Sequence, residues 1–245
     1  FPLGLVPVAV SLAALPTLSR HAAQMDWDSF RSVLGRGLRL VLLLLLPATT
    51  GLWVLGAPLA RLLFEHGVFQ PADTVMTVQA LRLYLIGLPF AGVDFLLNYT
   101  FYARQNTRTP AIVGVISIGF YFVAAATLKG PLGFLGLVLA DSVKQAAHAL
   151  IMVVLLLRSV GRPQGEHVIA TFVRAVVAAA IMALAVWFLV PPLEGWLPDN
   201  VMAEVLVVAV AGAVGGGLYL LLLRLLGVGE LSALVSGVTV RVARR

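Results

Sequence analysis

The 245-residue chain contains no cysteine, which excludes disulfide scaffolds and thiolate metal sites. It is also poor in charge: 11% of its residues are Asp, Glu, Lys or Arg, where soluble domains carry about 25%. That is too little polar cover for a sphere in water. Catalytic signatures are missing as well. There is no H-E-x-x-H, no G-x-x-x-x-G-K-[ST] and no G-x-S-x-G, so no enzyme activity is expected. The four histidines, His21, His66, His148 and His167, fall on different segments without ligand spacing, so neither a metal site nor a cofactor is implied. The chain opens on "FPLGLVPVAV", without Met, without a basic leader and already inside an apolar run. The expectation is a piece of a longer protein whose upstream part is missing.

What fills the chain is hydrocarbon: 60% of the residues are hydrophobic. A helix crossing a bilayer needs about 20 mostly apolar residues, and seven runs qualify: 1–18, 37–57, 76–102, 110–128, 132–157, 168–191 and 201–226. None alternates apolar and polar residues as a membrane β-strand would. The fold class is therefore all-α, a polytopic helix bundle of seven spans.

The net charge of +6 could suggest nucleic acid, but its distribution points to a membrane. Seven crossings define two sets of loops. One set (19–36, 103–109, 158–167 and the tail beyond 226) holds Arg20, Arg31, Arg36, Arg104, Arg108, Arg158, Arg162, Arg241, Arg244 and Arg245, with Arg224 at its edge. The other (58–75, 129–131 and 192–200) holds only Arg61 and Lys129. Basic residues accumulate in cytoplasmic loops, so the arginine-rich set is assigned to the cytoplasm, the chain enters from the outer face, and the C-terminus is cytoplasmic.

"YARQNTRTP" (Tyr102–Pro110) is then a cytoplasmic connector, with Arg104 and Arg108 at the headgroups, Thr109 as N-cap and Pro110 as first helical residue. Residues 19–36 read as an amphipathic interfacial helix, as does 58–69, ended by Gly67; an ordinary connecting helix is the alternative for each. Pro7, Pro16, Pro47 and Pro89 sit where they can kink or unwind spans. Gly212 and Gly216 form a G-x-x-x-G pair suited to close helix contact.

Three stretches, "FPLGLVPVAVSLAALPTLSR" (1–20), "LARLLFEHGVFQPADTVMTVQALRLYLIGLP" (59–89) and "FYARQNTRTP" (101–110), followed by "KGPLGFLGLVLADS" (129–142), resemble in order and spacing the MurJ/MviN family of the multidrug/oligosaccharidyl-lipid/polysaccharide exporter superfamily. The motifs cover residues 1–142; from 168 onward the likeness is one of topology. The resemblance implies fourteen helices in two six-helix lobes and a final pair, of which this sequence looks like helices eight to fourteen. The implied layout is 1–166 as lobe helices (five spans), 167–226 as the extra two-helix pair with a lipid-tail groove, and 227–245 as a basic cytoplasmic tail. The implied function is movement of lipid II, a lipid-linked peptidoglycan precursor, from the inner to the outer leaflet of the bacterial inner (plasma) membrane by alternating access. The implied partners are that precursor, membrane lipids and a coupling ion. A related exporter of another substrate and a non-transporting membrane scaffold are the alternatives. The family's pyrophosphate-binding arginines would precede Phe1, and the Asn and Asp of its sodium site have no counterpart in 110–128, so neither set transfers to this chain.

Charge inside a membrane usually faces protein or water, because exposing it at mid-bilayer costs about 2.5–3.5 kcal/mol on insertion scales. Asp141, Lys144 and His148 share one helix face, with Gln145 beside them. They read either as a polar stripe on the cavity wall or lobe core, or as an Asp–Lys pair that fixes helix register. Asp94, one turn before Asn98, is a cavity residue or a partner for a neighbouring helix. Arg82 snorkels to the interface or reaches a substrate pyrophosphate. Arg39 and Arg174 read as anchors near the cytoplasmic surface.

Overall fold

A computed structural model describes residues 2–162, 168–198 and 200–228. It contains eight helices among those residues: α1 (Pro2–Ala23), α2 (Trp27–Val54), α3 (Gly56–Phe64), α4 (Pro71–Ala103), α5 (Arg108–Leu132), α6 (Phe134–Val160), α7 (Val168–Trp196) and α8 (Val201–Leu225). All but α3 are long and apolar enough to span a bilayer, seven in total. His167 and the tail from 229 onward lie outside the described residues; Gly227 and Val228 close α8, Val228 buried.

One expected interfacial helix is absent. Residues 19–23 finish α1 and 27–36 open α2, so no separate helix covers 19–36. The break falls at Met25 and Asp26. Met25 takes a positive φ of 55°, and the Asp26 carboxylate accepts the Ser29 N–H at 3.1 Å, capping α2. Nothing between Trp27 and Val54 then stops the helix, which carries Arg31, Arg36 and Arg39 along with it. The two Ser29 hydrogen bonds hold the Asp26 carboxyl below the ordinary aspartate range. A depressed carboxyl contributes stability above its unfolded pKa and loses it as pH falls through its folded pKa. Hydrogen exchange at the Ser29 amide should therefore accelerate, relative to mid-helix amides, only at pH values below that ordinary range, and Asp26→Asn should abolish the pH dependence while keeping a cap.

At the second expected position, 58–69, a helix is present as α3, which runs from Gly56 to Phe64. Pro58 and Ala60 are buried, Leu63 and Phe64 face outward, and Gly67 (φ 64°) turns the chain beyond it. Pro7, Pro16, Pro47 and Pro89 interrupt no helix. The α4–α5 connector is capped differently from the expectation: α5 begins at Arg108, and Asn106, not Thr109, supplies the cap, its Oδ1 accepting the Thr109 N–H at 3.1 Å. Pro110 still lies in the first turn, where its missing N–H has no intrahelical acceptor.

Two groups of helices result. α1, α2, α4 and α6 enclose one core around Leu18, Phe30, Leu96, Phe101 and Met152, and α5 packs along α6. α7 and α8 pack on each other and chiefly against α2 and α3. Gly215, rather than Gly212 or Gly216, makes the close contact here: a Cβ on Gly215 would meet Val186 Cγ2 at 2.7 Å, while Gly212 and Gly216 have open space around them. Large apolar side chains such as Phe122, Ile169 and Phe188 point outward at 65%, 80% and 73% exposure, an arrangement that lipid permits and water does not.

Candidate functional site

α4 and α6 run parallel with a constant register. A Cβ on Gly87 would meet Ser142 Cα at 2.9 Å, and the Ser142 hydroxyl donates to Leu83 O at 2.6 Å. Nearly two turns further along, Asp94 Oδ2 lies 2.9 Å from His148 Nδ1, and at the far end Arg104 Nη1 donates to Ser159 Oγ at 2.8 Å. The small residues Gly87 and Ser142 let the backbones approach, and that closeness brings a short aspartate within reach of an imidazole on the next helix.

The centre of this seam is polar. Asn98, one turn past Asp94, donates its amide to both Asp94 Oδ2 (2.9 Å) and Asp94 O (2.8 Å). The side chains of Asp94 and His148 keep only 11% and 14% of their surface open. Asp94 Oδ1 and His148 Nε2 are buried without a hydrogen-bond partner among the described residues, an uncommon condition for buried polar atoms.

Nearer the other end of α6, Lys144 Nζ pairs with Asp141 and lies 6.0 Å from the centroid of the Tyr121 ring on α5. Asp141 and Lys144 line a cavity of about 410 Å³ with Tyr84, Tyr121, Phe122 and Phe134. The face shared by Asp141, Lys144 and His148 is thus divided: the first two are paired with each other, and His148 turns to α4. Arg82 belongs to neither group. It donates Nε to Trp53 O at 3.3 Å and lines a separate cavity of about 380 Å³ with Arg61, Glu65, Thr74 and Gln79. Twelve residues separate it from Asp94, about 18 Å along the helix.

Arg104 and Arg108 mark the opposite end of α4. Arg104 sits 5.5 Å from the centroid of the Trp27 ring, and burial lowers its pKa from the ordinary arginine value. Arg108 is exposed at the start of α5. Arg39 is 8% exposed inside the bundle rather than at its surface, whereas Arg174 is exposed.

A second polar cluster is one that sequence reasoning missed. Arg61 on α3 donates Nε to Glu204 Oε1 on α8 at 2.5 Å and also pairs with Glu194 at the end of α7. Burial works against the Arg61 charge, but the Glu204 hydrogen bond and the two carboxylate charges outweigh it and raise its pKa. A signal for it exists in the pattern: Arg61 is one of only two basic residues in the loop set 58–75, 129–131 and 192–200, and Glu194 and Glu204 flank the last of those loops.

Comparison with known proteins points one way. The family model "Lipid II flippase MurJ" matches residues 1–206. The chain is 33% identical over 244 residues to a probable lipid II flippase MurJ of Haemophilus influenzae, covering 91% of this chain and 46% of that protein. It is 33% identical over 216 residues to the probable lipid II flippase MurJ of Rhizobium meliloti, covering 86% and 40%. A solved structure titled lipid II flippase MurJ in an inward closed conformation superposes with a TM-score of 0.72 at 25% identity, covering 90% of this chain and 43% of that one. The chain spans somewhat less than half the length of these relatives.

Proposed function

The chain belongs to the lipid II flippase MurJ family, and on that premise we propose that it serves to move lipid II, an undecaprenyl-pyrophosphate-linked cell-wall precursor, from the inner to the outer leaflet. The protein is a multi-pass protein of the bacterial inner membrane. The observation that carries the proposal is the family match over residues 1–206, together with a bundle that superposes on a flippase structure. The relatives are about twice as long, so this chain accounts for one side of the transport path, and alternating access requires the other side to rock against it.

The proposed division of labour keeps the layout expected from the sequence, 1–166 and 167–226. Residues 1–166 supply the lobe helices with the α4–α6 polar seam. α7 and α8, within 167–226, pack chiefly on α2 and α3 and turn an apolar face outward, a surface suited to the precursor's polyprenyl tail. Asp141 and Lys144 line a cavity of about 410 Å³, and Arg82 lines a separate one of about 380 Å³. The work is translocation with no bond made or broken, and membrane potential supplies about 2.3 kcal/mol per charge moved through 100 mV. Depletion of the full-length protein, followed by leaflet-resolved measurement of lipid II, is the direct test. Outer-leaflet lipid II should fall while the inner-leaflet pool grows; an unchanged distribution in cells with no second flippase would refute the proposal.

The arginine asymmetry orients this machine with Arg104, Arg108 and the C-terminus in the cytoplasm. The cysteine-free chain makes that easy to check. In an otherwise cysteine-free background, Val68→Cys, at a site 96% exposed in the α3–α4 turn, should react with an impermeant maleimide in intact spheroplasts. Thr107→Cys, exposed in the α4–α5 turn, should react only after permeabilisation. The reverse pattern would invert the topology.

A further inference from the structure

We propose that the cavity between α3 and α4 binds the headgroup of a zwitterionic phospholipid, its phosphate on Arg82 and its ammonium on Glu65. Both side chains line this space of about 380 Å³, yet among the described residues neither forms an ion pair with the other or with any third group. Arg82 uses only Nε, which donates to Trp53 O at 3.3 Å, and its two terminal amino groups have no acceptor among the described residues. Glu65 accepts from the Thr74 hydroxyl through Oε2, and Oε1 has no donor among them. The other charges nearby are committed. Arg61, also on the cavity wall, is held by Glu194 and Glu204, and Asp73 accepts the Gln70 N–H at 2.9 Å. A free guanidinium fork suits a phosphate, and a free carboxylate oxygen suits an ammonium.

The spacing selects the class of ligand. Thr74, which holds the Glu65 carboxylate, and Arg82 are eight residues apart on α4, a rise of about 12 Å. A charge-assisted hydrogen bond takes up about 3 Å at each end. A ligand that bridges the two therefore carries its own charges a few ångströms apart, as a phosphate and an ammonium joined by two carbons do. Gln79, on the same wall between them, adds an amide donor for the phosphate. A pyrophosphate fits worse, because it brings at least two negative charges to a single uncommitted cation and faces an unneutralised carboxylate. An arginine that only snorkelled to the interface would need no acidic group across the same cavity. The ligand is a lipid rather than a free solute because the helices that form the cavity also supply a bed for acyl chains: Val75 on its wall, Met76 on α4, and Leu63 and Phe64 on α3 are all exposed. In the orientation assigned from the arginines this end of α4, opposite Arg104, meets the outer leaflet.

The inference is independent of which cargo the protein moves. It can be tested by native mass spectrometry of the full-length protein in detergent, with phosphatidylethanolamine or phosphatidylglycerol of matched acyl chains added. The parent should retain phosphatidylethanolamine better. Arg82→Gln should weaken the binding of both lipids by about fivefold or more, since each loses a charge-assisted phosphate contact that solvent only partly screens. Glu65→Gln, whose amide oxygen can still accept from Thr74, should weaken phosphatidylethanolamine alone, so that the preference over phosphatidylglycerol falls or reverses. Phosphatidylethanolamine binding that is unchanged in either variant would overturn the proposal. Glycerophosphoethanolamine, the same headgroup without acyl chains, should not compete at concentrations equal to the lipid; competition there would make the ligand a soluble phosphate ester and overturn the lipid assignment. Should Arg82→Gln fail to fold, an unchanged ratio of the two lipids in Glu65→Gln would overturn the proposal alone.

Discussion

Gly87→Val is expected to destabilise the bundle by about 3 kcal/mol, the upper end of the usual penalty for overpacking. The atoms a new Cβ would meet are Ser142 Cα and Oγ at 2.9 Å and Ser142 Cβ at 3.1 Å. A flexible side-chain tip could swing aside; the backbone of α6 cannot. The helices would have to separate, and the Ser142 hydroxyl would lose Leu83 O, its acceptor at 2.6 Å. Because the seam is stitched at Ser142, His148 and Ser159, a displacement at the first contact propagates to the second and pulls the imidazole from Asp94. Gly119 provides the control. It lies on α5, and a Cβ added there would have nothing within 4 Å, so Gly119→Val should stay within about 0.5 kcal/mol of the parent. Thermal unfolding of the purified full-length protein, followed by the loss of its monodisperse elution peak, separates the two. Equal midpoints would show that α4 and α6 are not this close.

That prediction uses a contact the sequence could not disclose. The seven spans were legible because membrane insertion is governed by local apolar length, and each expected run falls within a helix of the structure or overlaps it by most of its length. Their ends were less legible where polar residues lie on a continuing helix. The expected span 37–57 starts ten residues late, because Arg31 and Arg36 have the chemistry of an interface although only the Asp26 cap stops the helix. The common face of Asp141, Lys144 and His148 followed from 3.6-residue periodicity. Their partners did not, since periodicity says which way a side chain points and not which helix it meets. Asp94 and His148 are 54 positions apart on spans separated by α5, and only the parallel packing of α4 on α6 unites them. The Arg61 cluster was hidden for the same reason, with Glu194 and Glu204 more than 130 positions away.

Arg61→Met should loosen the attachment of α7 and α8, with a loss of about 1–2 kcal/mol. Removing one member of a fully buried ion pair costs about 3–5 kcal/mol because the remaining charge is left without a partner. Here the side chains of Arg61, Glu194 and Glu204 retain 31%, 37% and 18% exposure, so water offsets part of that penalty. Glu204 also lies in the first turn of α8, where the helix N-terminus favours its charge. The sign of the pH dependence is fixed by the raised Arg61 pKa. A raised base contributes its stability fully below its unfolded pKa and loses it only as pH rises through the folded one, so the arginine's contribution is flat across the neutral range. Added salt should weaken the parent and leave the variant nearly unchanged, since exposed portions of the pair are screened within about 8 Å at physiological ionic strength. Glu204→Gln in the Arg61→Met background should restore part of the lost stability by removing the more buried of the two unpaired carboxylates. A double variant no more stable than Arg61→Met would mean that packing of the arginine stem, and not its charge, holds α3 to α8.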